Sequence, residues 1–277
     1  MSRLEPRTVD LPGCARIEYL EVGDGAPVVY FHGAGGVFRN AAFMPALGER
    51  FRVLAPSRPG FDGSTGACAS AREEAEVMAE FIRIVVGAPV SLIAESAGGA
   101  AGCWLAILEP SLLQSLILVA PAAFAGASHA PPPASPEGME LRLFGSKPAW
   151  SEPPTDTDRA TRQRNASANA AKLRPAHGNA NLRERLGEIS APTLVLWGTA
   201  DEFIPPESGQ VFVRAIPNSY RMLIYGAAHS LPVAACRQFV ALATDFIERG
   251  DRFVVAEPRE LAVETTNHAS HAPDRSR

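Results

Sequence analysis

The chain has 277 residues, 46% of them hydrophobic and 20% charged, enough apolar material for a large core in one or two domains. A net charge of −4 argues against a nucleic-acid binder. Four cysteines, at 14, 68, 103 and 236, form no C-x-x-C pair and no metal-ligand spacing with histidine, which argues against a cysteine metal site and fits buried thiols in a reducing compartment.

The N-terminal residues carry no apolar run of the kind that marks a secretory signal. Ile17 to Val22 and Pro27 to Phe31 read as strands joined by the turn Gly23-Asp24-Gly25, and Phe51 to Ala55 as a third strand. Ala71 to Val86 sets Ala75, Met78, Ile82 and Val85 on one face of a helix. Val90 to Ala94 is a short apolar run, read as a buried strand, and Ala100 to Leu108 is helical. Leu116 to Ala120, Thr193 to Trp197 and Arg221 to Tyr225 are further apolar strands. Pro205 to Ile216 is helical between the last two, and an amphipathic helix closes the pattern over Pro232 to Arg249. The stretch from Leu116 to Ala127 is broken by Pro121 and too short to span a bilayer, so a soluble cytoplasmic protein is expected.

Apolar strands alternating with helices predict an α/β fold with a mostly parallel sheet covered on both faces. Residues 122–190 break that rhythm with Pro131-Pro132-Pro133 and Pro153-Pro154 and few large apolar residues. They read as a cap or lid insertion, with helices near Asp158 to Leu173 and Asn181 to Leu186. The core is then 1–121 with 191–253, and the polar stretch 254–277 reads as a disordered tail. Between 159 and 185 the insertion holds seven basic residues against the single acid Glu184. That surface is expected to be solvated, or to attract anionic substrates.

The chemistry centres on Ala94-Glu95-Ser96-Ala97-Gly98, where the apolar strand turns straight into a helix. A serine at such a turn sits on a strained elbow, its hydroxyl held above the sheet, and small residues two before and two after it avoid collision. The same serine could instead be a helix N-cap. A nucleophilic serine needs a base, and the base an orienting acid. Open parallel sheets collect reactive groups at the carboxyl ends of their strands. Asp201 follows the strand at 193–197, and His229 follows that at 221–225, giving the chain order Ser, Asp, His. Asp201 could also cap the helix begun by Pro205-Pro206, and Glu202 stands beside it. His229 could be a loop histidine bonded to backbone; His32, His129, His177, His268 and His271 are weaker candidates. Arg58 reads as a structural loop residue, and Glu95 as a positioned polar neighbour rather than a second catalytic acid.

Taken together, Phe31-His32-Gly33-Ala34-Gly35-Gly36, Ser57-Arg58-Pro59-Gly60-Phe61-Asp62-Gly63-Ser64, the Ser96 elbow, Trp197-Gly198-Thr199-Ala200-Asp201 and Gly226-Ala227-Ala228-His229 closely resemble successive motifs of the α/β-hydrolase fold superfamily. The resemblance runs from about Ile17 to Gly250. It implies an eight-stranded, mostly parallel sheet with a helical cap between strands six and seven, and a serine hydrolase using Ser96, Asp201 and His229. It further implies that the backbone N–H groups of Ala34 and Ala97 form an oxyanion hole. Two positions depart from the pattern: Ala94 stands for the elbow glycine, and Ala228 where glycine often precedes the histidine.

No metal and no organic cofactor is called for. Gly33-Ala34-Gly35 lacks the third glycine of a dinucleotide loop, Phe38 standing in its place. The expected activity is cleavage of a small carboxylic ester or related acyl substrate. The alternatives are carbon–carbon cleavage of a ring-cleavage product, whose hydrolases the loop after His32 with Asn40 loosely resembles, peracid exchange, and a small-molecule receptor on a hydrolase scaffold. The partner is a small-molecule substrate, with no nucleic acid or membrane, acting on a monomer or homodimer.

Overall fold

Runs of buried apolar residues lay down the centre of the sheet. All six residues of β5 (Val90–Glu95) and of β7 (Thr193–Gly198) are buried, as are six of the seven in β6 (Leu113–Val119). Strands covered on both faces are mostly apolar, with any buried polar side chain partnered, which is why these show little alternation. The computed structural model describes residues 4–12, 15–39, 41–124, 133, 135–172 and 181–252. The polar stretch 254–277, together with Cys14, Asn40, His129 and His177, lies outside them.

The strands before β5 are β1 (Arg7–Asp10), β2 (Arg16–Val22), β3 (Ala26–Phe31) and β4 (Phe51–Pro56); β8 (Ser219–Ile224) comes last. They make one eight-stranded sheet in the order β1-β2-β4-β3-β5-β6-β7-β8. β1 and β2 pair antiparallel, as do β2 and β4, and every later pairing is parallel. The strands at the margins depart from the apolar expectation: β8 is mostly half-buried, with Leu223 exposed.

Helices cover both faces. α1 (Phe43–Gly48) and α9 (Cys236–Arg249) pack Phe43, Phe239 and Phe246 against Tyr30, Val53, Ile93 and Leu196. On the other side lie α2 (Ala71–Phe81), α3 (Gly98–Leu108) and α7 (Gln210–Ala215), over Phe31, Leu54, Leu92, Leu118 and Trp197. Each such fully buried large side chain contributes about 1.5–3 kcal/mol. α2 starts where Ser70 Oγ accepts the N–H of Glu73 and Glu73 returns a carboxylate to the N–H of Ala69. The helix expected over 71–86 loosens into a π turn at Ile82–Val86 and stops at Gly87. That expected over 232–249 is broken at Ala235, with α8 (Leu231–Ala234) preceding α9.

Between β6 and β7 the described chain forms α4 (Pro136–Phe144), α5 (Asp156–Lys172) and α6 (Leu182–Arg185). α4 was not anticipated, although its start carries two local signals: Ser135 Oγ accepts the N–H of Gly138, and Pro136 fills the first helical position. The basic stretch is not simply solvated. Arg159 and Arg162 both pair with Glu140 of α4, and the Arg162 side chain is 14% exposed, under Phe38, Phe144 and Trp150.

Candidate active site

β3, β5, β7 and β8 run parallel, so the loops that follow them meet at one rim of the sheet. Ser96 leaves β5 with φ of +47°, the left-handed conformation expected of a strand-to-helix elbow. Such a conformation costs a non-glycine residue about 1–3 kcal/mol. It is held by the Ser96 N–H bonding Val119 O at 2.8 Å, while Ser96 O accepts from Gly99 N and Ala122 N at 2.9 and 2.7 Å. A Cβ on Gly98 would lie 2.7 Å from His32 O and 2.8 Å from Phe31 O, so nothing larger fits there. The alanine at the other end of the elbow has its own accommodation. A Cβ on Gly102, one turn into α3, would lie 2.5 Å from Ala94 Cβ. The methyl that Ala94 adds is the one that Gly102 leaves out.

The three expected side chains converge. His229 Nε2 is 2.8 Å from Ser96 Oγ, and His229 Nδ1 is 2.7 Å from Asp201 Oδ2. The Asp201 side chain is fully buried and that of His229 is 5% exposed. Asp201 fills both roles its sequence suggested. Its Oδ1 accepts the N–H groups of Phe203 and Ile204 at 2.9 and 3.0 Å, fixing the turn, and its Oδ2 is left for the imidazole. Because a carboxylate only accepts, Nδ1 carries the proton and Nε2 is free to take one from the serine hydroxyl. The Phe203 ring packs on the imidazole with centroids 5.3 Å apart.

Ala34 and Ala97 flank the elbow. The N–H of neither takes part in the turn and loop hydrogen bonds of the described backbone, and Ala97 stands at the positive end of α3. The peptide bearing the Ala34 N–H is clamped from its carbonyl side. Arg58 N–H donates to His32 Nε2 at 2.9 Å, which leaves the His32 proton on Nδ1 to bond Gly33 O at 2.7 Å. The Arg58 guanidinium adds contacts of 3.4 Å to Gly33 O and Ala97 O, and is neutralised by Glu74 at 2.8 Å in a pair whose side chains are 3% and 5% exposed. Arg58 is therefore more than a loop residue: it ties the loop after β3 to the elbow after β5.

Two further buried polar residues stand close by, Asn165, which carries no signal in the sequence, and Glu95, expected as a positioned polar neighbour. Asn165 of α5, buried, donates to Gly35 O at 3.0 Å and to Asp62 Oδ1 at 2.8 Å, tying the helix to the loop after β3. Glu95, also buried, bonds the hydroxyls of Tyr30 and Ser230. Among the described residues no group of three metal-ligating side chains occurs, and no helix is long and apolar enough to cross a membrane. Burial pushes the Cys103 thiol up to about 12, so it offers no rival nucleophile.

An elbow serine after β5, a carboxylate after β7 and a histidine after β8 form the arrangement of an α/β-fold hydrolase. The chain matches the model of the alpha/beta hydrolase family over residues 28–242. It is 24% identical over 266 residues to the 2-hydroxy-6-oxo-6-(2'-aminophenyl)hexa-2,4-dienoic acid hydrolase of Metapseudomonas resinovorans, covering 86% of this chain and 89% of that protein. It is 26% identical over 249 residues to the pimeloyl-[acyl-carrier protein] methyl ester esterase of Aeromonas hydrophila, covering 81% and 96%. A solved serine hydrolase involved in carbazole degradation shares the fold, with a TM-score of 0.70 at 21% identity over 88% of this chain and 99% of that one. The chain belongs to the alpha/beta hydrolase family and is an enzyme of the hydrolase class.

Proposed function

We propose that the protein cleaves a small carboxylic ester or related acyl compound, with Ser96 as nucleophile, His229 as general base and Asp201 as its orienting carboxylate. Ser96 Oγ attacks the carbonyl carbon as its proton passes to His229 Nε2, and the carbonyl electron pair moves onto oxygen. The N–H groups of Ala34 and Ala97 receive that oxyanion, each donor being worth on the order of 10²–10³ in rate. On collapse the bond to the leaving group breaks and the departing atom takes the proton from Nε2. Water then gives a proton to His229 and attacks the acyl carbon, and Ser96 leaves with its hydroxyl restored.

The observation that carries this reading is the unbroken relay Asp201–His229–Ser96, with bonds of 2.7 and 2.8 Å at the end of a strained elbow. An intact relay also argues against a receptor that has kept only the scaffold. Ser96→Ala is expected to abolish turnover of p-nitrophenyl esters while leaving the melting temperature in place. An active Ser96→Ala enzyme contradicts the assignment.

A second reading is carbon–carbon hydrolysis of a vinylogous diketone by the same three residues. It is favoured by the relatives named as dienoate hydrolases, at 24% and 28% identity. Turnover of a diketone series against an ester series separates the two: a kcat/KM larger on the diketones moves the assignment to carbon–carbon cleavage. The substrate is taken to be a small molecule free of nucleic acid or membrane, acted on by a monomer or homodimer in the cytoplasm.

A further inference from the structure

Beside the relay stands a second carboxylate that acyl transfer, as written above, does not use. Glu95 is the last residue of β5, immediately before Ser96, and is 2% exposed. A carboxyl group at that depth must be partnered or give up its charge. Each of its oxygens has a donor from a different element: the Tyr30 hydroxyl of β3 bonds Oε2, and the Ser230 hydroxyl bonds Oε1 at 2.5 Å. Both oxygens accepting is the pattern of an ionised carboxylate. Burial pushes Glu95 up from the usual carboxylate range, while the Ser230 and Tyr30 bonds and the facing His229 pull it back. The Tyr30 phenol is pushed well above its usual range, by burial first and then by Glu95, against the pull of Arg58.

Ser230 is the residue after His229. Its backbone is held as well, its N–H bonding Leu143 O of α4 at 2.8 Å and its O accepting from Val233 N and Ala234 N at 3.0 and 2.7 Å. The Glu95 bond to its side chain thus completes the anchoring of the segment that carries the imidazole. The charged and titratable groups around this imidazole include Asp201 on the Nδ1 side, Glu95, which Ser230 links to the His229 loop, Tyr30 bonded to Glu95, and the Arg142–Glu202 pair, whose guanidinium lies over the Phe203 ring that packs on His229.

We propose that Glu95 is a positioning residue for the base: through Ser230 it fixes the His229 loop, and its negative charge joins that of Asp201 in favouring the imidazolium formed during acyl transfer. This rests on His229 acting as the base for Ser96.

The test is the rate at which a fluorophosphonate labels Ser96, followed from pH 4 to 9 in the wild type, Glu95→Gln and Ser230→Ala. Glu95→Gln keeps the shape of the side chain and removes its charge. It is expected to label about ten-fold more slowly at pH 7, the worth of one bond to a charged group. Its acid limb is expected at lower pH than that of the wild type, by roughly 0.5–1 unit, because less negative charge then favours the protonated relay. Ser230→Ala keeps the carboxyl group but cuts the tether and one of its two donors, so it should label several-fold more slowly. A Glu95→Gln limb that coincides with the wild type overturns the charge role, whatever the rate. If Glu95→Gln does not fold, Ser230→Ala decides: labelling at the wild-type rate overturns the proposal. A wild type that takes no label at any pH rejects the nucleophile assignment instead, which keeps the two failures apart.

Discussion

The rim loops of the sheet and the segment between β6 and β7 are built on different principles. At the rim, backbone geometry dictates residue type. The left-handed turn at Ser96, the carbonyls of Phe31 and His32 crowding Gly98, and the methyl of Ala94 crowding Gly102 leave little choice of side chain. The inserted segment is held at a few points, by Phe144 packed with Phe38 and Trp150 and by long-range polar bonds: Asn165 to Gly35 and Asp62, Leu143 O to Ser230, and Arg142 to Glu202, with the Arg142 guanidinium over the Phe203 ring. The first kind of structure fixes where the chemistry happens. If the second serves as the cap proposed from the sequence, a substitution at one of its polar ties should disturb substrate handling more than folding.

The largest effect should come from the relay. Asp201→Asn keeps an acceptor for Phe203 and Ile204 but can present an N–H to the imidazole, favouring the wrong tautomer. A loss of kcat on the order of 10³–10⁴ is expected in steady-state ester assays, with stability little changed. A loss below ten-fold breaks the link between Asp201 and the base. Next comes the Arg58–Glu74 brace between the loop after β3 and the elbow. Glu74→Gln leaves the buried Arg58 charge without its counter-ion and should lower unfolding stability by about 3–5 kcal/mol in urea titrations. A change under 1 kcal/mol places that charge in contact with water.

The elbow gives a sharper test because it can be repaired. Gly102→Ala puts a second methyl where Ala94 already sits and should cost about 1–3 kcal/mol. Adding Ala94→Gly to it should restore most of the stability, a coupling that urea melts of the single and double variants would measure. Simple additivity contradicts the exchange of one methyl for another. The smallest effect belongs to the inserted segment. Asn165→Ala unties α5 from the loop after β3 and should raise KM several-fold with kcat within about two-fold, as expected for an interaction that does not change in the transition state. A fall in kcat alone would instead tie Asn165 to the oxyanion step.

The same division explains what could be read from the residues in order. The convergence of Ser96, Asp201 and His229 was legible because each follows an apolar run, and the carboxyl ends of parallel strands lie at one rim of the sheet. Most of the alternation of strands and helices from β2 to α9 was legible for the same reason, though α4 and the six-residue α1 were not. β1 was not, because a four-residue edge strand of exposed residues carries no apolar signal. Asn165 was not, because its value depends on Gly35 and Asp62, more than a hundred positions away, and the helix around it shows only polar and small residues. Arg58 was seen but underrated, since nothing local reveals that Glu74 meets it in the interior. Glu95 did leave a signal: a carboxylate inside an otherwise apolar strand has to be partnered there, and Tyr30 and Ser230 are the partners.

The nucleophile can be examined without knowing the substrate. Reaction of the folded protein with a fluorophosphonate, followed by digestion and mass mapping, should place a single adduct on the peptide that bears Ser96, and the adduct should vanish in His229→Ala. Unmodified protein, or an adduct on any other serine, would contradict the relay on which the assignment stands.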